Sequence, residues 1–392
     1  MDSGYKRALK FVIMLGLISL FSDMTYEAAR GINGSFLQKL GASGTTVGLV
    51  AGIGELIGYG LRFFSGYLAD RTKKYWTILI AGYLINLISV PLLALAGYWQ
   101  VAVILMIGER IGKAIRTPSR DALLSFGTKE TGRGWGYGLH EAMDQIGATV
   151  GPLLVSSVLF FRNQNYSMAY GILAIPAIIA ISVLIYSRYL YPRPGELEIK
   201  RTGVSTEGLS KRYRIYLIAV IFIAAGFADF PLIAFHFKSE SLMSDSLIPI
   251  LYSAAMAADA MAALAFGRLF DKLGIRVIIA AILISSLFAP MVFLGGFGFA
   301  LTGMILWGIG MGAQESVLKA EIALMVPQEK RGRAFGTFNA AYGFFWFAGS
   351  ALMGILYDTS ITGLVVFSVL TQFIAVMVLI SVLKADKTGR VA

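Results

Sequence analysis

The chain has 392 residues, of which 57% are hydrophobic and only 15% charged, with a mean hydropathy of +0.71 and a formal net charge of +11. A soluble domain would carry far more charge on its surface, so this composition excludes a water-soluble globular protein and points to a membrane-embedded one. There is no cysteine, which removes disulfides, thiolate metal sites and cysteine nucleophiles from consideration.

Apolar segments long enough to cross the ~30 Å hydrocarbon layer as helices recur from end to end. Twelve are predicted, at about 9–37, 44–69, 75–98, 100–124, 134–161, 167–190, 213–237, 246–271, 276–297, 299–326, 334–357 and 361–384. The first follows Lys6, Arg7 and Lys10 and is far longer than the apolar stretch of a signal peptide, so no cleavable leader is expected. It carries Asp23, Glu27 and Arg30 at i, i+4 and i+7, on one helical face. The second holds Glu55 about halfway down and Arg62 nearer its end, then runs into Gly66-Tyr-Leu-Ala-Asp70-Arg71. The fourth has Glu109 and Arg110 near its centre, and a basic stripe of Lys113, Arg116 and Arg120 leads from them to Asp121. The fifth places His140, Glu141 and Asp144 within one turn, ahead of Gly147-Ala-Thr-Val-Gly151-Pro152.

Residues 191–212 are polar, charged and punctuated by proline, as a linker between halves would be. Asp229 lies in the seventh segment and Asp259 in the eighth, which ends in Gly267-Arg-Leu-Phe-Asp271-Lys272-Leu-Gly274. The tenth holds Gln314, Glu315 and Lys319, and the eleventh sets Asn339 and Tyr342 three residues apart. The third, sixth, ninth and twelfth carry almost no charge in their interiors.

The chain therefore reads twice. Gly66 to Arg71 recurs as Gly267 to Lys272 about 200 residues later, Gly132-Arg133-Gly134 as Gly332-Arg333-Ala334, Asp121 as Glu321, and Phe21-Ser-Asp23 as Phe227-Ala-Asp229. Internal repeats of this kind suggest two bundles, residues 1–190 and 213–392 joined by 191–212, that rock against each other around a central site. In a twelve-span arrangement nearly all loop lysines and arginines fall on one side; the other shows only Lys39, Arg162 and Lys238. The positive-inside bias then puts both termini in the cytoplasm. The same scatter of basic residues over short turns explains the net charge without a nucleic-acid partner.

The turn residues carry a family resemblance. Gly66, Asp70 and Arg71, repeated at Gly267 and Asp271, resemble the signature loop between helices 2 and 3 of the major facilitator superfamily, although Lys73 replaces its second glycine. Gly147, Gly151 and Pro152 resemble the antiporter motif of that family's proton-coupled drug exporters, with Leu153 and Leu154 where further glycines are usual. Arg110 resembles those exporters' buried arginine, but Lys113-Ala114 departs from the pattern around it. The resemblance implies an all-α membrane protein of twelve transmembrane helices in two six-helix halves, in which helices 1, 4, 7 and 10 line the cavity. It implies a gate in which Asp70 faces the N-terminus of a neighbouring helix, joined by Gly66, Arg71, Asp121, Gly267 and Asp271. Arg71 is expected to pair with Asp121, and Gly147, Gly151 and Pro152 to shape helix 5.

Ionisable groups at membrane depth are costly and mark a cavity, a partner or a proton path. Asp23, Glu27, Glu141 and Asp144 are the coupling candidates, because a carboxyl that gains and loses a proton is what coupling requires. Expected structural pairs are Arg110 with Glu141 or Asp144, Glu27 with Arg30, and Glu315 with Lys319. Candidate substrate contacts are Glu55, Arg110, Asp229, Gln314, Glu315, Asn339 and Tyr342, among aromatics such as Tyr26, Trp135, Tyr137, Trp307 and Trp346. No phosphate loop, nucleophile elbow or metalloprotease motif occurs, so neither an enzyme nor ATP drive is expected, and no cofactor or resident metal. The expected function is proton-coupled efflux of lipophilic or cationic compounds from the cell membrane by alternating access. An organic anion or metabolite is the alternative, and a divalent metal handled by Asp23 and Glu27 a third. Expected partners are a small-molecule substrate, protons and membrane lipid, and the expected state is a monomer.

Overall fold

The computed structural model describes residues 3–131, 133–192, 210–326 and 331–387. These residues form helices and no strand: α1 Ser3–Lys39, α2 Gly44–Thr72, α3 Tyr75–Leu92, α4 Trp99–Thr131, α5 Arg133–Phe161, α6 Tyr166–Ile172, α7 Ala174–Leu190, α8 Lys211–Ala225, α9 Phe230–Ser239, α10 Leu247–Leu273, α11 Ile275–Ser285, α12 Phe288–Leu294, α13 Gly296–Met325, α14 Arg331–Thr359 and α15 Ile361–Lys387. Without water in a bilayer, backbone groups must pair within the segment, and helices do this. Among the described residues, 11 helical segments are long and apolar enough to cross a membrane. The remaining predicted span is α4, whose 33 residues are ample in length but whose charges make it too polar by composition.

Three predicted spans are interrupted. The seventh is expected as one helix but splits into α8 and α9 at Gly226-Phe227-Ala228-Asp229, where Gly226 caps α8 and a proline opens α9. The carbonyls this break frees are taken up by side chains. Gln372 Nε2 donates to Ile223 O at 3.1 Å, Ser368 Oγ to Gly226 O at 2.7 Å, and Trp307 Nε1 to Ala228 O at 2.8 Å. The sixth span divides into α6 and α7, and the ninth into α11 and α12.

The chain gathers into two compact units. Unit 1 comprises Met1–Gly41, Ile57–Lys200 and Ser244–Ser253; unit 2 comprises Ala42–Leu56, Arg201–Met243 and Ala254–Ala392. Thus the first half of α2 belongs to unit 2, and the start of α10 to unit 1. Unit 1 has an apolar core in which Phe11, Leu15 and Ile18 of α1 meet Leu79, Tyr83 and Leu87 of α3 and Leu184 of α7. α5 lies closer still to α1. A methyl group at Gly147 would strike the backbone oxygen of Leu20, and one at Gly151 that of Met24. These glycines let α5 reach the turn of α1 that carries Asp23.

Candidate functional site

In unit 1, α1 turns its acidic face toward the basic stripe of α4. Asp23 and Glu27 are one turn apart and both buried. Lys113, Arg116 and Arg120 follow one another on α4 at helical spacing and meet them in register. Glu27 Oε1 lies 3.7 Å from Lys113 Nζ, and Asp23 Oδ1 lies 3.9 Å from Arg116 Nη2. On α5, Asp144 Oδ2 lies 3.5 Å from Arg120 Nη1 and 3.6 Å from His140 Nδ1. The other ring nitrogen of His140 is 3.0 Å from Ser19 Oγ, which returns the chain of contacts to α1. Acids from two helices thus share a base-rich third helix between them.

Aromatic faces line this ladder. Lys113 Nζ sits 3.9 Å from the centroid of Tyr26, and the Arg116 guanidinium lies 4.5 Å from the Tyr83 ring and 5.5 Å from the Tyr26 ring. Arg116 is fully buried and donates through Nη1 to Tyr83 Oη at 3.1 Å. Among the described residues, its Nε and Nη2, together with Asp23 Oδ1 and Asp144 Oδ1, make no hydrogen bond. The Asp23–Arg116 attraction is therefore one between charges rather than a closed hydrogen-bonded pair, and buried polar atoms left in this way are costly. Further along α4, Asn86 Nδ2 donates to Glu109 Oε1 at 2.8 Å, and Glu109 Oε2 lies 3.4 Å from Arg110 Nε.

Unit 2 holds a second buried polar group at the α8–α9 break. Asp229 Oδ2 accepts from Trp346 Nε1 at 2.8 Å and from Ser350 Oγ at 3.5 Å. Tyr342 Oη donates to Gln314 Oε1 at 2.9 Å, and its ring lies 5.2 Å from that of Trp346. Phe227 packs against both Trp307 and Trp346. The result is a buried carboxylate set among aromatic rings.

The structure brings Asp23, Glu27 and Asp144 into one cluster and Asp229, Gln314 and Tyr342 into another. Glu141 stands apart: it is exposed, and among the described residues it accepts a 3.4 Å contact from Gln145. Arg110 does not meet Glu141 or Asp144 as expected, because Arg120, three turns further along α4, takes Asp144, and Arg110 lies beside Glu109. Glu27 takes Lys113 rather than Arg30 within ion-pair distance, since α4 presents its base directly opposite. Asp121 pairs with Arg120 at 3.1 Å, not with the exposed Arg71. Glu55 and Asn339 are half-buried, and Glu315 is exposed. A methyl group at Gly66 would sit 3.4 Å from Pro118 Cβ, an ordinary contact, and one at Gly267 would meet nothing. Pro152 is buried within α5. The side chains of Asp70, Asp271, Trp135 and Tyr137, with Gly132 and Gly332-Arg333, lie outside the described residues.

The stripe of Lys113, Arg116 and Arg120 stands out in the sequence, but which acids face it does not. The signal was present, since i, i+3, i+7 bases on α4 match i, i+4 acids on α1. His140 as a bridge to Ser19, and Tyr252 as a partner of Glu27, carried no sequence signal, because both contacts join residues more than 100 positions apart.

Known proteins agree with this architecture. The family model described as Major Facilitator Superfamily matches residues 15–312 and 215–391. The uncharacterized protein Rv2265 of Mycobacterium tuberculosis is 37% identical over 381 residues, covering 96% of this chain and 93% of that protein. The uncharacterized MFS-type transporter MJ1317 of Methanocaldococcus jannaschii is 30% identical over 363 residues, covering 90% and 89%. The multidrug resistance protein MdtH of Proteus mirabilis is 32% identical over 126 residues, only 32% of this chain and 31% of its own. Among solved structures, the nucleoside transporter NupG superposes with a TM-score of 0.75 over 96% of this chain and 99% of its own, at 14% identity, which speaks to the fold alone.

Proposed function

The chain belongs to the major facilitator superfamily, and on that premise we propose that it is a proton-coupled antiporter that exports lipophilic or cationic compounds by alternating access. It is a multi-pass transporter of the cell membrane and not an enzyme. The observation that carries the coupling part is the ladder of Asp23, Glu27 and Asp144 against Arg116, Lys113 and Arg120. Each acid loses its attraction to its base when it takes a proton, so a proton changes how α1, α4 and α5 hold together. Differential stability of two states is all that any ligand, a proton included, can exploit. Asp23, Glu27 and Asp144 are the coupling groups in this reading, and Glu141 is peripheral.

The substrate part is supported by Asp229, a buried carboxylate ringed by Trp346, Tyr342 and Phe227, since aromatic faces and an acid favour a cation with apolar bulk. The partial likeness to a multidrug resistance protein points the same way. An organic anion is the second reading. It is favoured by the bases of unit 1 that stand along α4, Lys113, Arg116 and Arg120. The two halves of the sequence move against each other, with both termini in the cytoplasm and the gate at Gly66, Asp70 and Arg71 and their repeats Gly267 and Asp271.

The test is transport by purified protein in liposomes under an imposed pH gradient, with tetraphenylphosphonium and benzoate as probes. Tetraphenylphosphonium should move against its gradient, and Asp23→Asn, Glu27→Gln and Asp144→Asn should each abolish this while leaving the protein folded. Undiminished pH-driven transport in all three variants would sink the coupling assignment. Movement of benzoate alone would establish the anion reading.

A further inference from the structure

The start of α10 is built into unit 1. Ser156 Oγ donates to Ser246 O at 2.6 Å, and Ser253 Oγ donates to Thr149 O at 2.7 Å, so α5 holds the segment at both ends. Beneath it lies Gly31 of α1, where a methyl group would come within 3.3 Å of the Tyr252 ring and 3.5 Å of Pro249 Cβ. A further tie differs in kind. Tyr252 Oη donates to Glu27 Oε2 at 2.5 Å, between a tyrosine with no solvent exposure and a carboxylate that is 7% exposed. The two serine contacts end on backbone carbonyls and are indifferent to protons. The Tyr252 contact ends on an ionisable group that also faces Lys113. Asp245, the segment's own acid, has Gln164 and Tyr166 as neighbours instead.

We propose that Tyr252 is a positioning residue that senses the charge on Glu27 and holds the start of α10 in unit 1 more firmly while that carboxylate is ionised than when it is protonated. This rests on the assignment of Glu27 as a coupling group. An ionised Glu27 accepts the Tyr252 hydroxyl as a charge-assisted hydrogen bond while Lys113 balances its other oxygen. When a proton from bulk water adds to Glu27, the phenol keeps its own proton, and the bond loses its charge assistance. The carboxylate also loses its pull on Lys113. The segment Ser244–Ser253 is then held less firmly at its Tyr252 end, while the serine contacts and Asp245 still hold its start. The charged groups facing Glu27 are Asp23 and Arg30 on α1 and Arg110 and Lys113 on α4, with Arg116 of α4 and Asp144 of α5 acting through Asp23. Arg30 and Arg110 also act on Tyr252 through their charge, so the Tyr252 hydroxyl is where the charge of Glu27 and that of its neighbours meet α10.

The native chain has no cysteine, so Ile248→Cys, at a fully buried position on α10, reports release of the segment through maleimide labelling of the purified full-length protein. In that background, labelling divided by the rate of the unfolded protein at the same pH, which removes the loss of thiolate, should speed up as the pH falls. Tyr252→Phe, which removes only the hydroxyl, should label about tenfold faster at neutral pH, the factor set by losing one charge-assisted hydrogen bond, and should lose the pH dependence. Glu27→Asp keeps the charge opposite Lys113 but withdraws the carboxylate from Tyr252. It should label like Tyr252→Phe while still taking up its proton, and it carries the test if the phenylalanine variant folds poorly. Labelling of Tyr252→Phe and Glu27→Asp at the parental rate and pH profile overturns the proposal. Proton uptake by the same samples, followed with a soluble pH indicator, separates the two assignments. Glu27→Gln that takes up as many protons as the parent overturns the coupling role of Glu27, and the sensing role with it. Reduced uptake in Glu27→Gln with parental labelling in Tyr252→Phe overturns the role of Tyr252 alone.

Discussion

Arg116 is the residue on which the unit 1 ladder turns. It is fully buried, its plane is flanked by Tyr83 and Tyr26, and among the described residues the acid within ion-pair distance of it is Asp23 at 3.9 Å. Removing one member of a buried pair strands the other charge, at a cost of about 3–5 kcal/mol, whereas removing both is far milder. Arg116→Leu should therefore lower the stability of the purified protein by that amount, and Asp23→Asn added to it should recover most of the loss. Arg116→Lys should not restore the parent, because an ammonium cannot stack between two rings as a guanidinium does. Thermal unfolding in detergent, read as a double-mutant cycle, checks this; additive losses would mean that the two groups are not coupled. Asp23 and Arg116 were each visible in the sequence as intramembrane charges. Their pairing was not, because α3 and α4 approach closely enough to enclose Arg116 only where Gly82 and Gly112 remove side chains from the contact.

At the scale of elements, helix ends and helix breaks are where this fold spends its polar side chains. The start of α2 is capped from α14. Asp358 accepts from Gly44 N at 2.9 Å, from Thr45 N at 2.7 Å and from Thr45 Oγ1 at 2.6 Å. A carboxylate there satisfies free N–H groups and complements the positive end of the helix. Asp358→Ala should destabilise the protein by about 1–2 kcal/mol, and Asp358→Asn by less, since the amide oxygen can still accept. Amide hydrogen exchange in the first turn of α2 should rise in step, and an unchanged rate would show that the cap is dispensable. Neither this cap nor the α8–α9 break was legible beforehand. Gly226 and Pro231 are weak signals in a run as apolar as 213–237, and the break persists because Ser368, Gln372 and Trp307 arrive from elsewhere to hold its carbonyls.

For the molecule as a whole, a repeated basic turn ends the second and eighth spans, and the charge bias of the loops sets one side apart from the other. The gate assigned to this side predicts that Asp70→Asn will favour opening there. Single cysteines introduced into the basic turns should then react faster with a membrane-impermeant maleimide, against a background with no native thiol. Equal rates in the parent and Asp70→Asn would remove Asp70 from the gate. Arg71 and Asp121 are not expected to contribute as a pair, because Arg120 already occupies Asp121.

The sequence by itself determined the membrane class, the repeated organisation and the set of helices that carry charge, because these follow from hydropathy and spacing along one chain. It also singled out Asp23, Glu27, Glu141 and Asp144 as acids at membrane depth, where charge is costly, although Glu141 stands exposed in the structure. Only the tertiary structure decided which base each acid meets, which is why Arg120 rather than Arg110 answers Asp144 and Lys113 rather than Arg30 answers Glu27. It alone brought His140 to Ser19 and Tyr252 to Glu27. Spacing fixes the face of a helix on which a residue lies. The rotation and depth at which two helices pack, set here by Gly147 and Gly151 against the backbone of α1, fix what that residue touches.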